Sequence, residues 1–179
     1  MDAVTLLRER RSIRAFKDEV IDREIMKKII DNAIYYPSWA NTQTARYTLI
    51  DDKEIVKKLA EEGMFGPNIK TVGKAPAALV ISYVNGFTGK APGGNEFVTK
   101  KGASWDMFDA GIASQNFCLA AYEKGVGTVI MGLFDEDKVS EIIDLPENET
   151  VAAVIPYGYE TKHPKAAPRK AIDEVVRYI

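Results

Sequence analysis

The sequence predicts an α+β fold, and three features of its patterning carry that expectation. Residues 77–84, apolar but for Ser82, and 151–155 are apolar runs, the pattern of strands buried on both faces. Residues 104–124 form the longest helical stretch, with Trp105, Phe108, Ile112, Phe117, Leu119 and Tyr122 spread around it. A helix apolar on more than one side lies centrally in its domain or against a partner. Helical and extended segments also interleave without strict βαβ alternation, which favours α+β over a doubly wound sheet. No linker, repeat or low-complexity tract divides the 179 residues, so 1–179 reads as a single domain.

The elements follow in order. A short helix opens the chain, from Ala3 to about Glu9. Asp22 caps the next, whose face is Ile25, Met26, Ile29, Ile30, Ala33 and Ile34; Ile21 is set to staple against Met26, and Pro37 ends the helix. Tyr47 to Ile50 reads as a strand, and Lys53 to Glu62 as an amphipathic helix stopped at Gly63. The run 77–84 follows Pro76 as a strand. Residues 85–103 hold Pro92 and glycines 86, 89, 93, 94 and 102, with little periodicity. A loop of that length is a lid or a disordered segment. The long helix, Ser104 to Lys124, stops at Gly125. Thr128 to Met131 is a short strand, Asp137 to Ile143 a helix, and Val151 to Ile155 a buried strand. The tail, Ile172 to Ile179, has strand propensity but no place in its own core, so pairing with a second chain is expected.

Composition removes several function classes. The apolar fraction is 46%, the charged fraction 28% and the net charge −2, so no global basic field exists to hold nucleic acid. No segment has the pattern of a signal peptide, and no run approaches the ~20 apolar residues of a membrane span. The single cysteine, Cys118, excludes an internal disulfide, and the single histidine, His163, leaves no Cys/His metal set. A reducing cytoplasm is the expected compartment.

Two nucleotide motifs fail on inspection. In Gly125-Val126-Gly127 the third glycine of a dinucleotide fingerprint falls on Ile130, and the order is helix then strand rather than the reverse. In Thr88-Gly89-Lys90 the first glycine of a P-loop falls on Val84, and Ala91 replaces the hydroxyl residue that binds magnesium. His163 lies in a loop between Lys162 and Pro164 and reads as solvated. Cys118 sits mid-helix among apolar neighbours and reads as a buried, unreactive thiol. With one histidine, no Ser/His/Asp set can be built, so any enzymatic chemistry falls to an organic cofactor.

The strongest binding signal is Arg10-Arg11-Ser12-Ile13-Arg14. So much fixed positive charge repels itself, and a nearby anion relieves it; guanidinium groups bind phosphate through planar, bidentate bonds, and a serine hydroxyl adds a donor. Three further segments follow: Pro37-Ser38-Trp39-Ala40-Asn41-Thr42-Gln43; Asp109-Ala110-Gly111-Ile112-Ala113-Ser114-Gln115-Asn116 leading into Gly125-Val126-Gly127-Thr128; and Gly158-Tyr159 with Pro168-Arg169-Lys170. In this order and spacing the four resemble the FMN-dependent nitroreductase family over nearly the whole chain.

The resemblance implies a nitroreductase-like fold, a central mixed sheet surrounded by helices. It implies an intertwined homodimer with two FMN molecules in clefts between subunits. The long helix then lies in the dimer core and the C-terminal tail crosses to the partner. Arg10 and Ser12, joined by Arg169, are implied to hold the FMN phosphate, with Arg11 in the same cradle and Lys165 and Lys170 nearby. Arg14 is implied near the flavin pyrimidine edge, where a fixed cation stabilises the charge that reduction places on N1 and O2. Asn68 either bonds that ring or caps its own loop. Pro37, Ser38 and Asn41 match the loop that reaches the flavin from the second subunit; Trp39 within it walls the substrate cavity or packs, and Gln43 is structural. Ile130, Met131 and Gly132 match the strand end against the ring, with a backbone N–H toward N5.

In function the resemblance implies an FMN-dependent oxidoreductase working by ping-pong. NADH or NADPH donates, and a nitroaromatic, a quinone or a similar acceptor follows. No side chain is assigned as acid, base, nucleophile or metal ligand. The rivals are a specialised dehydrogenase or reductive dehalogenase of the same fold, or a non-catalytic flavin-storage protein. Where larger relatives carry extra helices this chain has only the 85–103 loop, so its acceptor stays open; Asn95, Lys100 and Lys101 are the polar groups that loop offers.

Overall fold

A computed structural model describes residues 1–179. Four strands, β1 (Ala45–Ile50), β2 (Ala77–Val84), β3 (Gly127–Thr128) and β4 (Glu149–Gly158), form one sheet in the order β1-β2-β4-β3. The mixed sheet expected from the sequence is antiparallel in all three strand pairings, and parallel pairing enters only at the isolated bridge between Ser12 and Thr128.

The sheet is covered on both faces, and β2 shows why its sequence is continuously apolar. Ala77, Leu79 and Ile81 join one buried cluster, with Met26 and Ile29 of α2 (Arg23–Ala33) and Ala113, Phe117 and Ala121 of α5 (Ser104–Glu123). Ala78 and Val80, pointing the other way, join a second cluster. That layer is built by Val56 of α3 (Lys53–Lys58), Leu59 and Ala60 of a short π-helical turn (Leu59–Gly63), Val72 of α4 (Pro67–Val72) and Val139 of α6 (Glu136–Ile142). No helix is long and apolar enough to cross a membrane.

Local signals set most boundaries. Asp2 caps α1 (Ala3–Glu9), accepting from the Val4 and Thr5 N–H groups, and Asp22 accepts from Glu24 at the start of α2. Ile21 and Met26 are buried in one cluster, as the staple requires. The helix expected at 53–62 is α3 continued by the π-helical turn, ending at Gly63.

Two expectations need correction, and one helix was not foreseen. Residues 67–72 are helical, with Pro67 in the first turn, where its missing N–H costs nothing. The strand expected over Thr128–Met131 is regular only at Gly127–Thr128. Its register holds, since Met131 still faces Val154, but Pro156 on β4 has no N–H to give back to Val129, which interrupts the ladder. The tail, expected as a strand, contains a four-residue helical turn, α7 (Ile172–Val175), and extended backbone at Val176. Ile172, Val175 and Tyr178 are exposed, so the tail gains no apolar burial within its own chain.

Candidate functional site

The basic segment is bound to the sheet through its backbone. Arg10 ends α1, its N–H donating to Leu6 O. The chain then runs beside β3, where Ile13 N–H donates to Thr128 O at 2.9 Å. Further on it pairs with the chain leaving β4: Lys17 N–H donates to Tyr159 O at 2.8 Å and Thr161 N–H to Ala15 O at 3.1 Å. This close approach explains one glycine of the sequence motif: a β-carbon on Gly127 would stand 2.8 Å from Ile13 Cγ1, so only a bare backbone there lets the N-terminal segment lie down. Gly158, which faces Gly127 across β3 and β4, makes room chiefly for Pro76, whose Cγ would stand 2.7 Å from its β-carbon.

The arginine side chains are short of acidic partners. The Nε atoms of Arg10 and Arg11 are buried without any hydrogen-bond acceptor. Arg11 donates to the carbonyls of Arg8 and Arg10 and stands 3.9 Å from Glu9. Arg14 is exposed and reaches only its neighbour Ser12 O, at 3.4 Å. A buried guanidinium N–H with no acceptor is costly, and an anionic ligand is the group that would relieve it. The residues present therefore fit a phosphate-bearing cofactor. Arg169 makes no hydrogen bond to this cluster. It is exposed and donates to its own Ala167 and Pro168 carbonyls.

Next to β3, Met131 turns inward. Its side chain is buried in the core, its N–H donates to Val154 O at 2.9 Å, and its own carbonyl accepts from Val154. Ile130 and Gly132 on either side are exposed, and neither N–H donates within the chain. Asn68, from α4, donates to Leu133 O at 3.2 Å, which sets its amide beside Gly132 and fixes that loop.

The loop 37–43 stands elsewhere, against the start of α5. Trp39 to Asn41 form a single 3₁₀ turn, and Ala40, Asn41 and Gln43 all have positive φ, at 43°, 58° and 51°. Three non-glycine residues in left-handed conformations within four positions store strain that the surroundings must hold. Ser38 supplies part of the hold: its Oγ accepts from Gln43 N–H at 3.0 Å and its carbonyl from Asn41 N–H. Gln43 Nε2 donates weakly to Asn41 O, the structural part expected of it. Pro37 and Asn41 are exposed. The loop makes no hydrogen bond to Arg10–Arg14 in its own chain.

Two carboxylates to which sequence reasoning gave no role, one of them Asp109 at the head of a motif segment, anchor both loops. Asp109 is buried and accepts from Trp39 N–H at 2.8 Å. Burial raises its carboxyl above the usual carboxylate range; the Trp39 bond opposes that rise and the charge of Asp106 adds to it. Asp106, also buried, accepts from Gly86 N–H at 2.9 Å and from the Thr88 N–H and hydroxyl. The signal was present: two acids at i and i+3 on an otherwise apolar helix seldom stay buried without donors. Trp39 also spans to the glycine-rich loop, its Nε1 donating to Lys90 O at 2.7 Å and its ring lying 5.1 Å from that of Trp105. Trp39 therefore both packs and walls a cavity. Residues 85–103 are held in place by these contacts, although their only pairing is the Lys90–Phe97 bridge.

Cys118 is fully buried, and burial pushes its thiol up, as expected for an inert cysteine. His163 is exposed in its loop, 3.1 Å from Glu160.

Comparison with known proteins adds the lineage. A model of the nitroreductase family matches residues 7–64 and 67–159, which includes the basic segment, the 37–43 loop, the glycine-rich loop and β3 and β4, but not residues 160–179 with Arg169 and the tail. A protein of Methanothermobacter thermautotrophicus, provisionally named NADH dehydrogenase/NAD(P)H nitroreductase, is 31% identical over 168 residues, 92% of this chain and 80% of the relative. The crystal structure of a nitroreductase family protein from Streptococcus pneumoniae superposes with a TM-score of 0.87 over 99% of this chain and all of that one, at 21% identity. An FMN-dependent nitroreductase from Clostridium difficile gives a TM-score of 0.79 at 25% identity, covering 98% of each chain.

Proposed function

The chain belongs to the nitroreductase family, and from that premise we propose that it is an FMN-dependent NAD(P)H oxidoreductase acting on a nitroaromatic, quinone or similar acceptor. One observation carries this furthest: the buried Nε atoms of Arg10 and Arg11, unpaired on a segment pinned to the sheet. The names of relatives in both comparisons point the same way. FMN held by these residues would supply the redox chemistry that links a reduced nicotinamide to the acceptor.

The protein's part is binding and electrostatics. Arg10, Arg11 and Ser12 hold the phosphate, with Arg169 brought in by the tail. Arg14, exposed and without a carboxylate, holds positive charge at the pyrimidine edge, and Asn68 offers its amide to the same ring. Gly132 presents a free N–H to the reacting face. Met131 serves by anchoring that strand end to Val154 rather than by touching the cofactor.

The site is completed by a second copy, whose loop bearing Pro37, Ser38 and Asn41 covers the flavin. Support comes from the apolar surface left open on one chain. Val4 and Leu7 on α1, and Met107 and Phe108 on α5, are all exposed, as is the tail. The compartment that suits a single buried thiol and a nicotinamide donor is the cytoplasm.

The test is the visible spectrum of the purified protein, with the released chromophore identified by mass, followed by anaerobic mixing with NADH and NADPH. A bound FMN bleached faster by either donor than free FMN is the expected result. Protein that stays colourless in excess FMN overturns the proposal. Flavin that binds but bleaches no faster than free FMN reduces it to a storage role.

A further inference from the structure

The cavity between the Trp39 loop and the glycine-rich loop measures about 590 Å³. Trp39 and Phe87 are its aromatic lining residues, and its polar ones are Thr42, Asn85, Lys90 and Asn95; no acidic residue lines it. The Trp39 wall is fixed at both ends, by Asp109 on its N–H and by Lys90 O on its Nε1. That second bond also fixes the backbone from which the Lys90 side chain springs. The Lys90 ammonium lies 5.3 Å from the Phe97 ring centroid and is paired with no carboxylate. Asn85 Oδ1 accepts the Thr150 hydroxyl at 2.8 Å, so the amide of Asn85 keeps both its N–H donors.

An enclosure with aromatic walls, several donors, one unpaired ammonium and no acid selects a flat molecule with a single negative charge. We infer that this cavity binds a planar aromatic carboxylate, its ring against Trp39 and its carboxylate on the Lys90 ammonium. A phosphate dianion matches less well, because one ammonium supplies half the charge and none of the bidentate geometry. As the acceptor site, with an electron-poor substituent on the same ring, it deepens the flavin reading and rests on it; as a binding site it does not.

Calorimetry with benzoate and with benzamide, its neutral isostere, tests the binding with and without saturating FMN. Benzoate should bind roughly tenfold more tightly, the worth of one charge-assisted hydrogen bond. Lys90→Met should collapse that preference, and Lys90→Arg should keep it. Equal affinity of the unaltered protein for the two compounds overturns the inference, whether or not any variant folds. So does a preference that survives in Lys90→Met. The turnover arm compares KM for 4-nitrobenzoate and 4-nitrobenzamide, where the acid should have the lower KM by a similar factor. Benzoate binding in a protein that holds no FMN would leave this site standing while the redox reading fell. Rapid flavin turnover with no preference for the acid would do the reverse.

Discussion

Ile13 and Gly127 are in such close register that a β-carbon on the glycine would stand 2.8 Å from Ile13 Cγ1 and 3.0 Å from its Cβ. Ile13 is 2% exposed while Arg14 beside it is exposed, so the same contact that buries the isoleucine turns Arg14 outward. Gly127→Ala should destabilise the protein by about 1–3 kcal/mol through overpacking. Because the strain falls on the basic segment, FMN retention should fall with it. Urea unfolding and flavin fluorescence measure the two effects, and a variant of unchanged stability would show that the contact relaxes freely.

Arg10→Ala and Arg169→Ala should each weaken FMN binding by about 1.5–3 kcal/mol, the range for a charged hydrogen bond. Arg169 is the sharper test, since in one chain it bonds only its own backbone. An unchanged dissociation constant in Arg169→Ala would mean that the tail never reaches the phosphate.

Arg14→Ala should leave FMN largely bound but lower its reduction potential, because a fixed cation favours the reduced, more negative flavin. Equilibration of the bound flavin against a reference dye gives the potential; an identical value in the variant removes Arg14 from this role.

Asp109 predicts a pH effect. Burial raises its folded-state pKa above the ordinary value, so the folded protein keeps this proton in a range where the unfolded chain has lost it. Stability from this group is therefore present below the ordinary carboxylate pKa and declines as pH rises from about 4 upward. Asp109→Asn still offers Trp39 an acceptor and cannot ionise. Its unfolding free energy should gain on the unaltered protein as pH rises through that range, then hold a constant margin. A margin independent of pH would place the Asp109 proton elsewhere.

Trp39→Phe removes the Nε1 bond to Lys90 O while keeping an aromatic wall. At about 1 kcal/mol for one hydrogen bond, amides of residues 85–103 should exchange roughly fivefold faster. Exchange at its original rate would show that the remaining contacts, those of Asp106 with Gly86 and Thr88 and of Thr150 with Asn85 among them, hold the loop without this bond.

Much of this was legible along the chain because it depends on near neighbours. The cap at Asp22, the stop at Gly63 and the double-faced run 77–84 appear where local spacing put them. The basic segment was legible as a binding element because charge density is a property of sequence. The anchoring roles of Asp106 and Asp109 escaped notice, since nothing local says that their donors come from Gly86, Thr88 and Trp39. Met131 was named for the site because its position matched, yet its side chain entered the core and its N–H went to Val154.

The sequence by itself determined most of the secondary elements, the buried faces and the unneutralised cluster of guanidiniums, because periodicity and charge act over a few residues. Only the tertiary structure decided which groups those elements would meet. Trp39 binds Lys90 across 51 positions and Asp109 across 70. Contacts of that kind exist only once the sheet has brought its loops together, since directional bonds of about 3 Å answer to packing rather than to distance along the chain.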